Sequence, residues 1–216
     1  MKYTFLVLFG ALVASCTGEK SPSDKDLDIE QEFEELSDEL LGDDTDNPVW
    51  TMRSDSAFFE MEVPTQMEPN ERLNPIAKLK YGYVGKFEGE VKEHFVIVLV
   101  EELPDDVEGK DVDIVGFTEA YIDSLMDSKE SYEILNEPAL ESINEMDAIV
   151  HELRASLIGT NDSLVDIYYM LGVYLGERAI YQVLTWTLMD QKDDFRSDMR
   201  RMIYSFSELK EEEEFD

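Results

Sequence analysis

The chain has 216 residues, of which 51 are acidic and 18 are basic, so its formal net charge at pH 7 is −33. This balance excludes nucleic-acid binding, because affinity for phosphates depends on Lys and Arg side chains that neutralise them; it also disfavours direct docking on anionic lipid headgroups. Cys16 is the single cysteine. No intramolecular disulfide is therefore possible, and a folded domain must depend on its own hydrophobic core.

The first sixteen residues have the three parts of a secretory signal. Lys2 and the amino terminus carry positive charge, residues 4–13 form an apolar run, and Ala14 and Ser15 are small residues directly before the cysteine. The apolar run is about half as long as the ~20 residues that a bilayer-spanning helix needs. We therefore predict a cleaved signal peptide over residues 1–15 rather than a retained transmembrane anchor.

The end of this signal resembles the lipobox of bacterial lipoproteins. Residues 12–16 read Leu-Val-Ala-Ser-Cys, with valine at position 13 where leucine is commoner. The resemblance implies that Cys16 receives a lipid, becomes the first residue of the mature chain and holds it at the cell envelope. Thr17 rather than aspartate follows the cysteine, which favours an outer membrane if the organism has one. The alternative is an ordinary signal peptide that happens to contain a cysteine.

Residues 16–48 are predicted to form a disordered acidic tether. Acidic residues dominate there, together with Ser, Pro and Gly, and the apolar content is too low to offset the entropy of ordering. Phe33, Leu36 and Leu40 nevertheless have helical spacing. This spacing leaves open a transient helix or a docking segment within the tether.

A folded domain is predicted over residues 49–209, followed by an acidic tail over residues 210–216. Its first clear element is residues 58–63, which alternate partly between apolar and polar side chains and stop at Pro64. That pattern predicts a strand.

The next segments predict a β-hairpin and a helix. Residues 77–87 and 94–103 flank Glu-Gly-Glu at 88–90, and the second segment is apolar enough to be a central strand covered on both faces. A polar loop over 104–116 and a helix over 117–126 follow. The helix is predicted from apolar side chains at four-residue steps, which are Phe117, Tyr121 and Leu125.

The last third of the chain predicts a second hairpin and a closing helix. Residues 166–188 contain two runs of β-branched and aromatic side chains around a turn at 175–178. Asp190 is the predicted N-cap of the helix that follows. Between the hairpins, residues 143–158 have helical spacing, so periodicity alone predicts a helix there. The predicted buried stripe of the closing helix is Phe195, Met199, Met202, Ile203 and Phe206.

These last seventy or so residues resemble the C-terminal half of PsbP-like domains, the fold also found in the DcrB lipoproteins of bacteria. The resemblance is carried by INEMDAIVHELRASLIGT at residues 143–160, by VDIYYMLGVYLGERAIYQVLTWTL at residues 165–188, and by the closing helix, which ends in MIYSF. In that family the first segment is a strand, the second is a hairpin, and the helix closes with Ser-Phe. We therefore expect residues 143–158 to be a strand, against their periodicity.

The resemblance implies an α/β (α+β) fold with a single antiparallel sheet of about six strands and helices on both faces, an α/β/α sandwich. Ser205 and Phe206 are the Ser-Phe pair here, and Glu145 stands where relatives often have glycine. The resemblance implies no catalytic residues, and members of the family are mostly interaction modules or assembly factors.

No pattern in the chain predicts a catalytic, cofactor or metal site. The chain lacks a G-x-S-x-G nucleophile motif and a glycine-rich phosphate loop. The aspartates from Asp43 onward have calcium-loop spacing, but Pro48 and Ser54 stand where the loop needs glycine and glutamate. His94 and His151 are the two histidines, and a metal site would require them to converge with carboxylates.

The sequence thus favours a non-catalytic lipoprotein whose domain binds a protein partner at the envelope. A second hypothesis is a protein that binds a small ligand or a divalent cation through its acidic surface and the aromatic side chains of its sheet. An envelope hydrolase that uses His94 or His151 is the third. The aromatic side chains of the second hypothesis are Tyr168, Tyr169, Tyr174, Tyr181 and Trp186.

Overall fold

The computed structural model describes the predicted domain and leaves the predicted signal peptide, Cys16, nearly all of the tether and the acidic tail outside the described residues. The described residues form a mixed α+β fold in which antiparallel strands dominate. They are 48–55, 58–87, 89–104, 112–159 and 163–209.

The strands and helices of the described residues are numbered in chain order. The strands are β1 (Trp50–Asp55), β2 (Phe59–Pro64), β3 (Glu68–Pro69), β4 (Leu79–Phe87), β5 (Glu90–Glu102), β6 (Ser131–Ile134), β7 (Leu140–Ile143), β8 (Met146–Ile158), β9 (Leu164–Leu175), β10 (Ala179–Leu188) and β11 (Ser207–Glu208). The α-helices are α1 (Ile114–Met126) and α2 (Lys192–Ser205), and a 3-10 turn, Met189–Gln191, precedes α2.

The strands form two sheets, so the prediction of a single sheet of about six strands is wrong. An eight-stranded sheet has the order β3-β4-β5-β10-β9-β8-β6, with β7 also paired to β8, and a separate three-stranded sheet has the order β1-β2-β11. The short strands β3, β6 and β7 are mostly exposed and give no periodic signal. Strand β2 packs over the large sheet and does not join its edge. Its side chains Phe59, Met61 and Val63 are buried in the core between β2 and that sheet.

The large sheet is covered on both faces, as predicted. Helix α1 packs on one face, the α1 face, and builds a core around Tyr121, Leu125 and Leu171. Helix α2 and the three-stranded sheet pack on the opposite face, the α2 face, around Met199 and Phe206. Two separate cores on one sheet make the domain a layered α+β sandwich.

Strand β8 confirms the strand predicted from the family resemblance rather than the helix predicted from periodicity. Along β8, Ala148 and Val150 belong to the core of the α2 face, whereas Ile149 and Leu153 belong to the core of the α1 face. A strand buried on both faces has no need to alternate apolar and polar residues. The helical spacing of its apolar side chains is therefore a by-product of two-sided burial.

Both predicted hairpins are confirmed. Strands β4 and β5 pair from Phe87↔Glu90 inward, and β9 and β10 pair along most of their length. In β9, Gly172 provides room for a neighbouring ring, because a Cβ there would lie 2.5 Å from the hydroxyl of Tyr174. That hydroxyl reaches α2 and donates to the backbone carbonyl of Ile203 at 2.7 Å.

A tight turn joins β7 to β8 and connects the first segment of the family resemblance to the last one, the closing helix. Asn144 and Glu145 have φ angles of 48° and 69°, and they connect Ile143 directly to Met146 as a two-residue hairpin turn. Both positive φ values correspond to a type I′ turn, which favours Asn-Gly. The Asn144 side chain donates to the backbone carbonyl of Phe206 at 2.7 Å, so the turn fastens the end of α2.

Replacing Glu145 with glycine is expected to raise the free energy of unfolding by about 1 kcal/mol, because a side chain at positive φ costs roughly that amount and glycine does not. Urea unfolding of the Glu145→Gly variant provides the measurement. The matched control is Glu133→Gly in β6, where φ is not positive, and this variant should be less stable than the parent. A loss of stability in Glu145→Gly would contradict the assignment of strain to this turn.

Both helices begin at residues other than those predicted. Helix α1 begins at Ile114 rather than at residue 117, because the carboxylate of Asp113 accepts a hydrogen bond from the Gly116 amide at 3.0 Å and caps the helix earlier. Asp190 is not the N-cap of α2, since it lies in the 3-10 turn and Gln191 occupies the cap without a side-chain hydrogen bond. The predicted buried stripe of α2 is confirmed in full.

Candidate functional site

The two histidines lie on opposite faces of the large sheet and do not converge. His94 is buried on the α2 face, where its ring lies 5.0 Å from that of Phe195 and its Nε2 is 3.2 Å from the hydroxyl of Thr185. Burial lowers the pKa of His94 to about 3. His151 lies between Val150 and Glu152 on β8, on the α1 face that Ile149 and Leu153 share. Burial also lowers its pKa.

The five aromatic side chains of the ligand-binding hypothesis are divided between the two faces. Tyr169 and Trp186 belong to the core of the α1 face, and the other three belong to the core of the α2 face. The latter three hydroxyls are used within the fold. Tyr168 donates to Glu152, Tyr174 to the carbonyl of Ile203, and Tyr181 to Glu208, each at 2.7 Å. These rings stabilise the cores and do not form one ligand surface.

Within the described part of the chain, no group of three or more His, Cys, Asp or Glu side chains converges closely enough to hold a metal ion. Neither α1 nor α2 has the length and apolar character of a membrane-crossing helix, and these are the helices of the described residues.

A buried carboxylate connects β8 to helix α2. Glu152 accepts hydrogen bonds from Arg196 at 2.6 and 3.1 Å and from the hydroxyl of Tyr168 at 2.7 Å. Burial by itself raises the pKa of Glu152, but the hydrogen bonds from Arg196 and Tyr168 and the positive charges of Arg196 and Lys192 outweigh that effect, so its pKa lies below the ordinary value. The arrangement keeps Glu152 ionised and accounts for a charge inside the sheet.

A small cavity of about 230 Å³ lies beside this carboxylate, between α2 and the edge of the sheet. The side chain of Asn136 borders the cavity. It donates to the backbone carbonyl of Val150 at 2.9 Å and accepts from the backbone amide of Glu152 at 2.8 Å, so it makes the hydrogen bonds that a neighbouring strand would make with β8. The cavity is lined by Asn136, Glu137, Ala139, Glu141, Val150, Glu152, Met170, Arg200 and Tyr204. Its carboxylates are largely engaged, since Glu141 accepts from the hydroxyl of Tyr204 at 2.9 Å.

A larger groove of about 730 Å³ lies on the other side of α2, and we call it the α2–hairpin groove. It is bounded by the start of β1, the loop after β2, the tip of the β4–β5 hairpin and the first half of α2. Its lining residues are Pro48, Val49, Thr65, Gln66, Tyr83, Phe87, Glu90, Lys92, Asp194, Phe195 and Asp198.

The groove combines exposed apolar side chains with carboxylates. Val49 is 63% exposed and Phe87 is 62% exposed, whereas Phe195 is buried and packs edge-on against Tyr83 with ring centroids 6.2 Å apart. The floor is therefore fixed, and the two apolar side chains at the rim are open to solvent. Exposed apolar side chains that share one concave surface are a candidate interaction site, unlike exposed apolar side chains that are scattered singly.

The sequence contains signals for the buried carboxylate and for the carboxylates of the groove. Glu152 stands within the apolar run of β8, and a charged residue in such a run needs a partner. Asp194 and Asp198 are four residues apart on the predicted closing helix and flank its buried Phe195. The partners could not be found from sequence, because Arg196 is 44 residues from Glu152 and Lys92 is 102 residues from Asp194.

Comparison with solved structures supports a PsbP-like fold. The solution structure of cyanobacterial PsbP (CyanoP) from Synechocystis is similar with a TM-score of 0.53 and 17% identity, over 79% of this chain and 99% of that one. LpqN, involved in cell envelope biogenesis of Mycobacterium tuberculosis, has a TM-score of 0.47 and 10% identity, over 76% of this chain and 91% of its own. The Ran-binding protein Mog1p of Saccharomyces cerevisiae has a TM-score of 0.45 and 11% identity, over 74% and 96%.

No family model matches the sequence, and no curated protein matches it. At 17% identity the likeness to CyanoP establishes the fold and nothing further. The chain therefore has a PsbP-like fold, as the residues of its last third predicted.

Proposed function

We propose that this protein is a lipoprotein of the bacterial cell envelope, held there by a lipid on Cys16, and that its PsbP-like domain is a non-catalytic module that binds a protein partner. The observation that carries the binding role is the α2–hairpin groove, where Val49 and Phe87 are exposed beside a fixed aromatic floor. The polar side chains in the cores, by contrast, stabilise the fold.

The tether supports this role. A domain attached to a membrane through the predicted acidic tether stays within a short distance of any partner in the same membrane, which raises the effective concentration for binding. Stable attachment needs two or more acyl chains, and the lipobox resemblance at residues 12–16 implies that Cys16 carries them.

Replacing Cys16 with serine is expected to abolish incorporation of labelled fatty acid, because serine has no thiol to accept the lipid. The serine variant keeps the apolar signal and the whole domain, so export and folding should be unchanged. Labelling of wild type and variant in the native host provides the measurement, and thermal unfolding of the two purified full-length proteins is the control for folding. Equal labelling of the two proteins would refute the lipid anchor.

The binding role is tested separately by affinity purification of the full-length protein from solubilised envelope. We expect one envelope protein to co-purify in a constant ratio. Repeated purification without a constant partner would count against an interaction module.

A further inference from the structure

We infer that the α2–hairpin groove is the binding surface of the proposed module, and that its occupant is a cationic, apolar segment of a protein partner, in which a bulky apolar side chain is flanked by Lys or Arg. This inference rests on the proposed function and adds the site and the chemistry of the partner.

The apolar part of the partner is indicated by the rim and floor of the groove. Phe87 ends β4 at the hairpin tip, and Val49 directly precedes β1, so two exposed apolar side chains from distant parts of the chain border one concavity. Tyr83 and Phe195 hold its floor in place. An apolar side chain that enters between them would remove both rim residues from water.

The cationic part of the partner is indicated by the charges of the groove. Its carboxylates are those of Glu90, Asp194 and Asp198, and its single cation among the lining residues is Lys92. The Lys92 ammonium lies 2.7 Å from Asp194 and 3.5 Å from Glu90, so it is already shared between two of the three carboxylates.

Asp198 is the third carboxylate of the groove, and Lys92 does not pair with it. Among the described residues it makes no hydrogen bond or ion pair within 4 Å, and it is half-buried one helical turn after Asp194, a like-charge spacing that destabilises a helix. Burial raises the pKa of Asp198, although Arg201 opposes this effect. A Lys or Arg side chain from a partner would pair directly with this carboxylate, which Arg201 attracts without forming an ion pair.

The chain's own tether is an unfavourable occupant, although it enters beside the groove at Pro48. Residues 17–47 contain thirteen acidic and two basic side chains. Phe33, Leu36 and Leu40, its apolar residues at helical spacing, lie in an acidic stretch of sequence that the carboxylates of the groove repel. A second copy of this chain is disfavoured by its net charge of −33. Charge therefore selects a different, basic protein.

The first test introduces a photo-crosslinking amino acid into the full-length, membrane-anchored protein in its native host. The groove positions are Val49 and Phe87. The matched control is Val84, which is 64% exposed on the same strand as Phe87 but lies on the opposite face from Tyr83, and Leu164, 68% exposed, is a second control. Mass spectrometry then identifies the crosslinked segment of the partner.

The result expected is a crosslink from the groove positions only, to a segment that contains Lys or Arg beside a bulky apolar residue. A crosslink only from Val84 or Leu164 would overturn the groove while leaving the proposed function in place. Crosslinks from no position would overturn both. A groove crosslink to the tether, to a second copy or to an acidic segment would overturn the chemistry assigned to the occupant.

The second test uses a short synthetic peptide in which tryptophan and leucine are flanked by lysines, titrated against the purified full-length protein by fluorescence. Phe87→Ser and Asp198→Asn should each weaken its binding about tenfold, as hot-spot truncation does. The controls, Val84→Ser and the exposed Asp147→Asn, should bind as wild type does. A peptide with glutamate in place of lysine should not bind. Equal weakening in Asp198→Asn and Asp147→Asn would show attraction by net charge alone and overturn the proposal.

Discussion

Replacing Arg196 with methionine is expected to lower the free energy of unfolding by about 3 kcal/mol at pH 7. Removing one partner of a buried ion pair leaves an uncompensated charge, at a cost of about 3–5 kcal/mol. The lower end of that range applies because Glu152 is 11% exposed but Arg196 is 46% exposed and already partly screened by water. Chemical denaturation of the variant provides the measurement.

The control for this prediction removes the whole polar cluster. A triple variant, Glu152→Met, Tyr168→Phe and Arg196→Met, leaves no buried charge and no unpaired hydroxyl, and replacement of a buried pair by apolar residues is often neutral or stabilising. We expect its free energy of unfolding to lie within about 1 kcal/mol of the wild type. If the triple variant is as unstable as Arg196→Met, packing around the guanidinium stem rather than the buried charge is responsible.

The pH dependence distinguishes the two variants further. In the wild type the pKa of Glu152 is depressed in the folded state, so its contribution is present above the unfolded pKa and is lost as the pH falls through the folded pKa. In Arg196→Met the pKa of Glu152 should rise relative to the wild type, because burial remains and only the Tyr168 hydrogen bond and the Lys192 charge still oppose it. Its instability should therefore diminish as the pH falls and Glu152 takes up a proton, whereas the triple variant should show no such recovery.

Lowering the pH from 6.5 to 5 is expected to reduce the free energy of unfolding by about 2 kcal/mol through His94 alone. The folded pKa is about 3 against an ordinary 6.5, so below pH 6.5 the unfolded chain binds a proton that the folded chain does not. Each pH unit in that interval corresponds to about 1.4 kcal/mol. The contribution is complete above pH 6.5 and is lost progressively down to the folded pKa.

The measurement compares denaturation of wild type and His94→Gln across pH 5–8. The acidic side chains titrate in both proteins, so the difference between the two curves isolates His94. The neutral variant should be less stable at pH 7, because it loses the contacts with Thr185 and Phe195, but its stability should depend less on pH. Parallel curves would contradict a neutral, buried His94. His151→Gln should change the slope in the same direction, since burial also lowers the pKa of His151.

The local elements of this protein were predictable where apolar side chains repeat with the period of a helix or strand, or where a turn separates two apolar runs. The β4–β5 and β9–β10 hairpins and the buried stripe of α2 follow from such patterns. Strand β8 did not, because it is buried on both faces and its apolar spacing imitates a helix. It was predicted by resemblance to a family, as was the Ser-Phe end of α2, but the turn at Asn144 and Glu145 was not, so the strand predicted over residues 143–158 begins at Met146.

The sequence by itself determined the acidic charge, most of the long strands and the helices, since these depend on composition and on neighbours a few residues apart. It also predicted the signal peptide before Cys16. Only the tertiary structure decided that the strands form two sheets, that His94 and His151 lie on opposite faces, and that Glu152 meets Arg196. It also decided that Val49, Phe87 and Asp198 border one groove. These features depend on strand order and register, which bring together residues distant in the chain and leave no periodic trace in the sequence.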